Sequence, residues 1–572
     1  MPVHNVDIAK IFEKIGDLLE IEDANPFRVR AYRNAARTVS SMGREVADLI
    51  AENEDLTSLA GIGKDLAGKI KTIVETGALP LLEELEKGIS GELTTLLDVE
   101  GLGPKRVAIL HKELGITDRK GLKKAAEAGK VRELSGFGRK TELKILEDLG
   151  RAKEGRGRIL LAEAEPSAES YRDYLRKVEG VKKVTVAGSY RRRRETVGDL
   201  DILVACSRDS PVMERFAAYE EVARVISRGD TRSTVVLRSG LQVDLRVLPG
   251  ASYGAALHYF TGSKAHNIAV RKIGLSRGLK INEYGVYRGK KKVAGATERE
   301  VYAKVDLPYI EPELREDRGE IEAARNNELP ELITLADIKG DLHSHTVATD
   351  GKNTIEEMAR AAKELDYEYL AVTDHSRRVT VANGLDESRL REEMERIDAL
   401  NEKLSGITLL KGIEVDILKD GSLDLPDGIL RDLDIVVGSV HSKFNLAGDE
   451  QTERIIRAMD NRYFNILAHP TGRMLGKRQA YEVDMERLMR AAKERGVFME
   501  LNSQPERMDL TDIQLKSAKE IGVGVVISTD AHWGTNLNYM RFGVGQARRG
   551  WLAADDVVNT RSLAELRRLL KR

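Results

Sequence analysis

Cysteine is almost missing from this 572-residue chain, in which Cys206 stands alone. A single cysteine excludes an intrachain disulfide and any zinc site built on thiolates, and a reducing cytoplasm is the simple expectation. Long apolar runs are missing as well, and none approaches the roughly 20 residues that span a bilayer. The first twenty residues read as an amphipathic helix that contains acids, not as a signal peptide. Low-complexity tracts are absent. Net charge is nearly absent too, at -1 from 92 basic and 93 acidic residues. A nucleic-acid partner would therefore need Lys and Arg concentrated locally. What is present, 41% hydrophobic and 32% charged residues, suffices for buried cores under a charged surface and excludes disorder. At roughly 100–200 residues per domain, the length predicts three to five units.

The first 150 residues read as helices, with Ile8, Ile11, Phe12, Ile15, Leu18 and Leu19 at helical spacing. A pattern of hydrophobic-x-Gly-hydrophobic-Gly recurs three times, at Gly61/Gly63, Gly101/Gly103 and Gly136/Gly138. Each copy precedes a basic, apolar-spaced helix, with Lys64, Lys105, Arg106, Arg139 and Lys140 at the helix starts. Gly-x-Gly between helices lets the backbone approach a phosphate, with amides and a helix N-terminus aimed at the anion. Three copies point to sequence-independent DNA backbone contact, and the segments resemble helix-hairpin-helix motifs. From Val181 to Leu248 the period changes to two, which predicts strands. Residues 306–336, rich in acids and prolines, read as a connecting arm. After Asp337, strands and amphipathic helices alternate to the end, which predicts a parallel sheet closed into a barrel.

In Gly188-Ser-Tyr-Arg-Arg-Arg-Arg-Glu-Thr-Val-Gly-Asp-Leu-Asp201, a strand would put Asp199 and Asp201 on one face and Leu200 and Ile202 on the other. Asp244 occupies a polar position between Val243 and Leu245 on a second strand. Three carboxylates on adjacent strands repel one another without a cation and form a hard oxygen site suited to Mg²⁺. Two such ions about 3.5–4 Å apart can activate a primer hydroxyl and stabilise a pyrophosphate leaving group. Gly188 and Ser189 offer a tight turn to triphosphate oxygens, and Arg191 to Arg194 add positive charge. Farther on, six of the ten histidines fall after residue 340, each at or just after an apolar strand. They are His343, His345, His375, His441, His469 and His532, and they are accompanied by Asp350, Glu414 and Asp530. In a barrel the C-terminal strand ends converge, so nine N/O ligands would gather at a site for two or three Zn²⁺ or Mn²⁺ ions.

The segment GSYRRRRETVGDLDIL resembles the nucleotidyltransferase signature of X-family DNA polymerases, and the likeness extends over about residues 1–320. It implies that Asp199, Asp201 and Asp244 hold the Mg²⁺ or Mn²⁺ ions, with Asp244 the base for the primer hydroxyl. It also implies that Gly188, Ser189, Arg192 and Gly198 contact the nucleotide, with Tyr259, Phe260 and Gly262 beside its sugar and base. Asn267 and Arg271 match minor-groove contacts. Lys264 and Ile268 depart from the vertebrate pattern, which has an acid and a lysine there. The N-terminal segment is similar to the family's lyase domain. Lys69 stands at the Schiff-base position, a nucleophile if its pKa is lowered, and Arg28 and Tyr32 stand at 5′-phosphate contacts. The histidine pattern resembles the polymerase-and-histidinol-phosphatase (PHP) domain. That likeness puts His343, His345, Glu414 and Asp530 on one metal, Glu414, His441 and His469 on a second, and Asp350, His375 and His532 on a third. Lys443, Arg473 and Asn502 become candidate phosphate contacts.

These readings predict a multidomain α and α/β chain. A helical lyase-like domain (1–90) and a helix-hairpin-helix domain (91–155) precede a mixed-sheet nucleotidyltransferase palm (156–255) and a thumb (256–318). A linker (319–336) leads to a distorted (β/α)7 PHP barrel (337–572). The implied function is short-gap filling in DNA repair with a metal-dependent 3′-5′ exonuclease. The implied partners are gapped or nicked duplex DNA with a 5′-phosphate and deoxynucleoside triphosphates, bound by a monomer associated with the nucleoid, without a membrane. A phosphatase with a DNA-binding appendage and a non-catalytic DNA-end-binding scaffold are the alternatives.

Overall fold

A computed structural model describes residues 3, 5–42, 44–88, 91–99, 102–150 and 158–571. The chain divides into two compact units, residues 1–156 and 157–572.

The first unit is helical. Its opening helix, Asn5–Ile21, buries Ile8, Phe12, Ile15, Leu18 and Leu19 at the predicted spacing. The next, Pro26–Ser40, starts with proline at its first turn, and the Asn25 side chain accepts from the Phe27 amide, a favoured N-terminal arrangement. One hydrophobic core runs from Ile8 through Ile145, so the two predicted helical domains share a core.

The second unit begins with a five-stranded sheet ordered 181–186, 199–206, 242–247, 232–237, 222–228. Strands Asp199–Cys206 and Gln242–Val247 pair in parallel, and their neighbours are antiparallel. Seven parallel strands follow in sequential order, from Gly340–Asp341 to Val525–Ser528. A parallel bridge between Ser344 and Ala531 brings the two ends of that sheet together, so the sheet is a nearly closed barrel. All seven predicted strand segments are present.

The segment expected as a linker is instead packed. Residues Glu320–Asn326 form a helix, and Ala324 and Leu332 join the core of the preceding small domain. Glu320 is fully buried, paired with His266 at 2.6 Å, and accepts from the Asp317 and Arg318 amides. The segment reads as a connecting arm in sequence, but one of its acids hydrogen-bonds a buried imidazole and caps a turn. The barrel is also continuous with the palm. Met508 and Phe542 belong to the palm's core cluster, where Leu475 and Tyr539 pack against it.

Candidate active sites

The palm strands place Asp201 opposite Asp244 in parallel register, with Asp199 two residues away on the same face. Leu200, Ile202, Val243 and Leu245 are fully buried. That burial fixes the register, since a one-residue slip would turn every carboxylate into the core. Asp244 accepts from Thr234 Oγ1 at 2.6 Å and Gln242 Nε2 at 2.8 Å, which orients its carboxylate. Burial and the neighbouring Asp199 and Asp244 charges push the Asp201 carboxyl up to about 7. Burial and Asp244 raise Asp199 as well. Two carboxylates that resist ionising beside a third on the same face suit a bound divalent cation. Gly188 has φ +64°, and a Cβ there would lie 2.7 Å from Asp201 Oδ2, so the turn is pressed against the carboxylate. Only glycine permits both.

The arginine run is mostly committed elsewhere. Arg191 forks onto Glu298 at 2.9 and 2.6 Å, Arg192 Nε meets Glu316 at 3.0 Å, and Arg193 meets Glu165 at 2.9 Å. Glu298 also takes Arg315 at 2.6 Å. Burial opposes its charge, but the two guanidinium groups hold it at about 2. Of the four arginines expected to add positive charge, Arg191, Arg192 and Arg193 are each paired with an acid. Sequence reading missed Arg158, which bonds Thr196 and acts electrostatically on Asp199. Arg246 of the palm strand Gln242–Val247 lies over the Phe260 ring at 4.3 Å, and Tyr259 is partly exposed. Asn267 is buried and donates to Tyr259 O at 2.7 Å, whereas Arg271 is exposed.

In the barrel, the nine predicted side chains converge. His345, Asp350, His375 and His532 form one ligand-spaced group, His343, His345 and Asp530 a second, and His375, Glu414 and His441 a third. Buried Glu414 ties the groups together. Its Oε2 lies 2.7 Å from His375 Nδ1 and 3.6 Å from His343 Nε2, and its Oε1 lies 3.1 Å from His469 Nε2 and 3.4 Å from His441 Nε2. Yet Glu414 Oε2, His375 Nδ1, His345 Nδ1 and His469 Nδ1 are buried without a hydrogen-bond partner. Buried polar atoms are normally satisfied, so a crowd of imidazole nitrogens and carboxylate oxygens that leaves some of its members unpartnered suits bound cations. The donor set, imidazole and carboxylate, fits Zn²⁺ or Mn²⁺. Burial and the adjacent His375 and His532 rings push His345 down to about 4, whereas burial is outweighed at His375 and His441, which Glu414 and its neighbours raise to about 10 and about 9. Burial disfavours charge on Glu414, but His375, His441 and His343 hold it well below the carboxylate range. His469 and Asp530, at φ +28° and +51°, sit in the left-handed region that non-glycine residues avoid. Such strain, about 1–3 kcal/mol per residue, collects at functional sites.

Glu500, which sequence reading passed over, is fully buried beneath this cluster. It accepts from His343 Nδ1 at 2.7 Å, Ser528 Oγ at 2.7 Å and the His469 amide at 2.5 Å. Its signal was an acid inside the apolar strand Phe498–Asn502. Two expected phosphate contacts are corrected. Asn502 is buried and donates to Asp530 and Glu500, and Arg473 is pinned to Glu195 at 2.7 Å and to the Met508 carbonyl. Lys443 has a left-handed backbone, at φ +61°.

In the helical unit, the three hairpins repeat one turn. The amides of Ile62, Leu102 and Phe137 each donate to the carbonyl three residues back, and the three side chains are buried. Gly61 and Gly136 have φ +80° and +82°. Gly63, Gly103 and Gly138 would meet nothing if given a Cβ, so their backbone is open to an approaching strand. Lys64 opens a helix and Lys105 follows Pro104 at the start of another. Gly101 lies outside the described residues. Arg28 is exposed, but Tyr32 is buried together with its hydroxyl, so it does not face a ligand at the surface. Instead it lies under the Lys69 amine, 5.2 Å from the ring centre, while that amine pairs with Asp65 at 2.6 Å. Burial would lower the Lys69 pKa, but Asp65 and Tyr32 raise it.

Hairpin helices, a palm with three carboxylates, a thumb and a metal-ligand barrel together define a polymerase-beta-type nucleotidyltransferase joined to a PHP domain. Family comparison agrees. Residues 3–79 match a helix-hairpin-helix domain, 93–151 a SAM-like helix-hairpin-helix tandem, 158–245 the DNA polymerase beta palm, 256–316 the DNA polymerase beta thumb, and 341–504 the PHP domain. Over 575 aligned residues, covering 100% of both proteins, the chain is 41% identical to DNA polymerase/3'-5' exonuclease PolX of Bacillus subtilis (strain 168). It belongs to the PolX family. Its C-terminal region is also 32% identical over 231 residues to a probable phosphatase of Thermoanaerobacter sp. (strain X514), covering 38% of this chain and 89% of that protein. A probable phosphatase of Acetivibrio thermocellus is 32% identical over 226 residues, or 38% of this chain and 86% of that protein.

Proposed function

We propose that this chain is a template-directed DNA polymerase that fills short gaps and carries a 3′-5′ exonuclease in its PHP domain. The register that sets Asp201 against Asp244, with Asp199 on the same face and Gly188 pressed against them, carries the polymerase reading. Asp199, Asp201 and Asp244 would hold Mg²⁺ or Mn²⁺, which supplies charge to the triphosphate and acidifies the primer hydroxyl. Asp244, oriented by Thr234 and Gln242, accepts the hydroxyl proton. The Gly188–Ser189 turn and Arg192 hold the triphosphate, and Tyr259, Phe260 and Gly262 face the incoming sugar. Asn267 and Arg271 act along the minor groove.

In the barrel, His343, His345, Asp530 and Glu414 would hold one Zn²⁺ or Mn²⁺, Glu414, His441 and His469 a second, and Asp350, His375 and His532 a third. Those ions supply a hydroxide and neutralise the phosphodiester. Glu500 and Asn502 orient His343 and Asp530. The hairpin glycines, with Lys64 and Lys105, grip duplex DNA by its backbone. The substrate is gapped or nicked DNA with a 5′-phosphate, bound by a monomer at the nucleoid. Lyase chemistry at Lys69 requires the Asp65 pair to open first.

The test is a one-nucleotide-gapped duplex with a 5′-labelled primer, Mg²⁺ or Mn²⁺, and deoxynucleotides added or omitted. Primer lengthening is expected to disappear only in Asp199→Ala/Asp201→Ala, and shortening only in His343→Ala/His345→Ala. No change of primer length in either metal would sink both assignments.

A further inference from the structure

The nucleotidyltransferase turn is held against the C-terminal region by the helix Met540–Arg549, whose last turn carries Arg548 and Arg549, beside the Arg473–Glu195 pair. Gly545 lies so close that an added Cβ would sit 3.3 Å from Arg193 Cβ. Arg549 is buried and reaches three acceptors on three parts of the unit. Its Nη1 donates to the Arg192 carbonyl at 2.8 Å and to Glu316 Oε1 at 3.0 Å, and its Nη2 donates to Asp512 Oδ2 at 2.5 Å. The same Glu316 Oε1 accepts Arg192 Nε at 3.0 Å, and Arg192 Nη1 bonds the Thr261 carbonyl. Arg318 completes the chain on Asp512 at 3.0 Å.

Arg192 is thus fixed at its backbone by a barrel residue and at its guanidinium by a carboxylate that the same barrel residue holds. Its charge acts on Asp201, so its placement bears on the carboxylate site. Two cations sharing one buried carboxylate form a coupled network, in which removing one partner leaves the others unsatisfied and free to re-pair. Without Arg549, Glu316 would keep Arg192 as its one ion-paired cation and would draw it away from the turn.

We propose that Arg549 is a positioning residue of the polymerase site: the PHP domain holds Arg192, and with it the triphosphate turn, in place for the deoxynucleotide. This rests on the polymerase reading above. The barrel then serves both activities, one through its metal ligands and one through the outer face of a helix.

Full-length protein is assayed by steady-state incorporation into one-nucleotide-gapped duplex as deoxynucleotide is varied. Arg549→Met is expected to raise the nucleotide KM about tenfold or more, the scale of a lost charged hydrogen bond, with kcat within about threefold of wild type. Arg549→Lys is expected to recover part of the loss. The double variant Arg192→Met/Arg549→Met is expected to have the KM of Arg192→Met alone, because Arg549 acts through Arg192. Exonuclease rate should be unchanged and reports that the barrel is folded. A nucleotide KM within twofold of wild type in Arg549→Met, or effects that multiply in the double variant, overturns the proposal. If Arg549→Met loses exonuclease and stability together, Asp512→Asn, which keeps the volume and removes one partner of Arg549, must still raise the KM about threefold. An unchanged value there overturns it equally. Wild-type protein that incorporates nothing refutes the polymerase reading itself, a result separate from any difference between variants.

Discussion

Replacing Glu500 by glutamine tests whether the exonuclease site depends on a carboxylate that would touch no metal. The side chain is fully buried and accepts from His343, Ser528, His469 and Asn502. Glutamine has the same shape but brings an NH₂ group that must face two of those four donors, since each oxygen accepts from two. The resulting clash of donors turns the His343 ring or leaves an N–H unpaired, and the lost charge makes His343 a weaker ligand. Outer-sphere partners of ligating histidines typically contribute about 10–100-fold in metal affinity or activity, or about 1.4–2.8 kcal/mol. Shortening of a 5′-labelled primer is followed while Mn²⁺ or Zn²⁺ is titrated. The expected outcome is a metal midpoint shifted upward by about that factor, with nucleotide incorporation unchanged. A midpoint and maximal rate both within twofold of wild type would refute the argument that Glu500 orients His343.

Gly188→Ala adds a Cβ 2.7 Å from Asp201 Oδ2 in a left-handed backbone. It should reduce incorporation by at least about a hundredfold while exonuclease persists, measured on the same gapped duplex. The Asp201 carboxyl is raised to about 7 in the folded chain from about 3.9 unfolded, so the folded state binds more protons between those values. Cation-free protein should therefore lose stability as pH rises from about 4 to about 7. Asp201→Asn should flatten that slope in thermal unfolding, and an unchanged slope would refute the assignment. Arg315→Met strands Glu298, which Arg315 holds at 2.6 Å. A loss of about 3–5 kcal/mol is expected from urea unfolding, and a loss under 1 kcal/mol would show that Arg191 alone satisfies Glu298. Borohydride trapping on DNA with a 5′-sugar phosphate tests Lys69. Asp65→Asn should increase trapping by freeing the amine, and a trapped complex that survives Lys69→Ala would exclude this lysine.

Much of this architecture is legible in one dimension because its cause is local. A period of two around Asp199 and Asp201, with Leu200 and Ile202 between them, fixes which face meets the core, and burial of the apolar pair leaves the acids no other side. Histidines at five of the seven parallel strand ends, with Glu414 on a sixth, gather because parallel strands present the same end to one face of a barrel. The hairpin glycines recur because the described turns take a positive φ at Gly61 and Gly136 and an open backbone at Gly63, Gly103 and Gly138. Other features have no local cause. Arg191, Arg192 and Arg193 read as positive charge beside the site, yet each meets an acid 28 to 124 residues away. Glu320 and Glu500 look like ordinary acids until the fold buries them against His266 and His343. The contact of Arg549 with Arg192 spans 357 residues. Sequence by itself determined the elements, their apolar faces and the clustering of ligands, because periodicity and side-chain chemistry act over a few residues. Only the tertiary structure decided which charges are spent on one another, because a buried carboxylate selects its partners by proximity in space and by the cost of remaining unpaired.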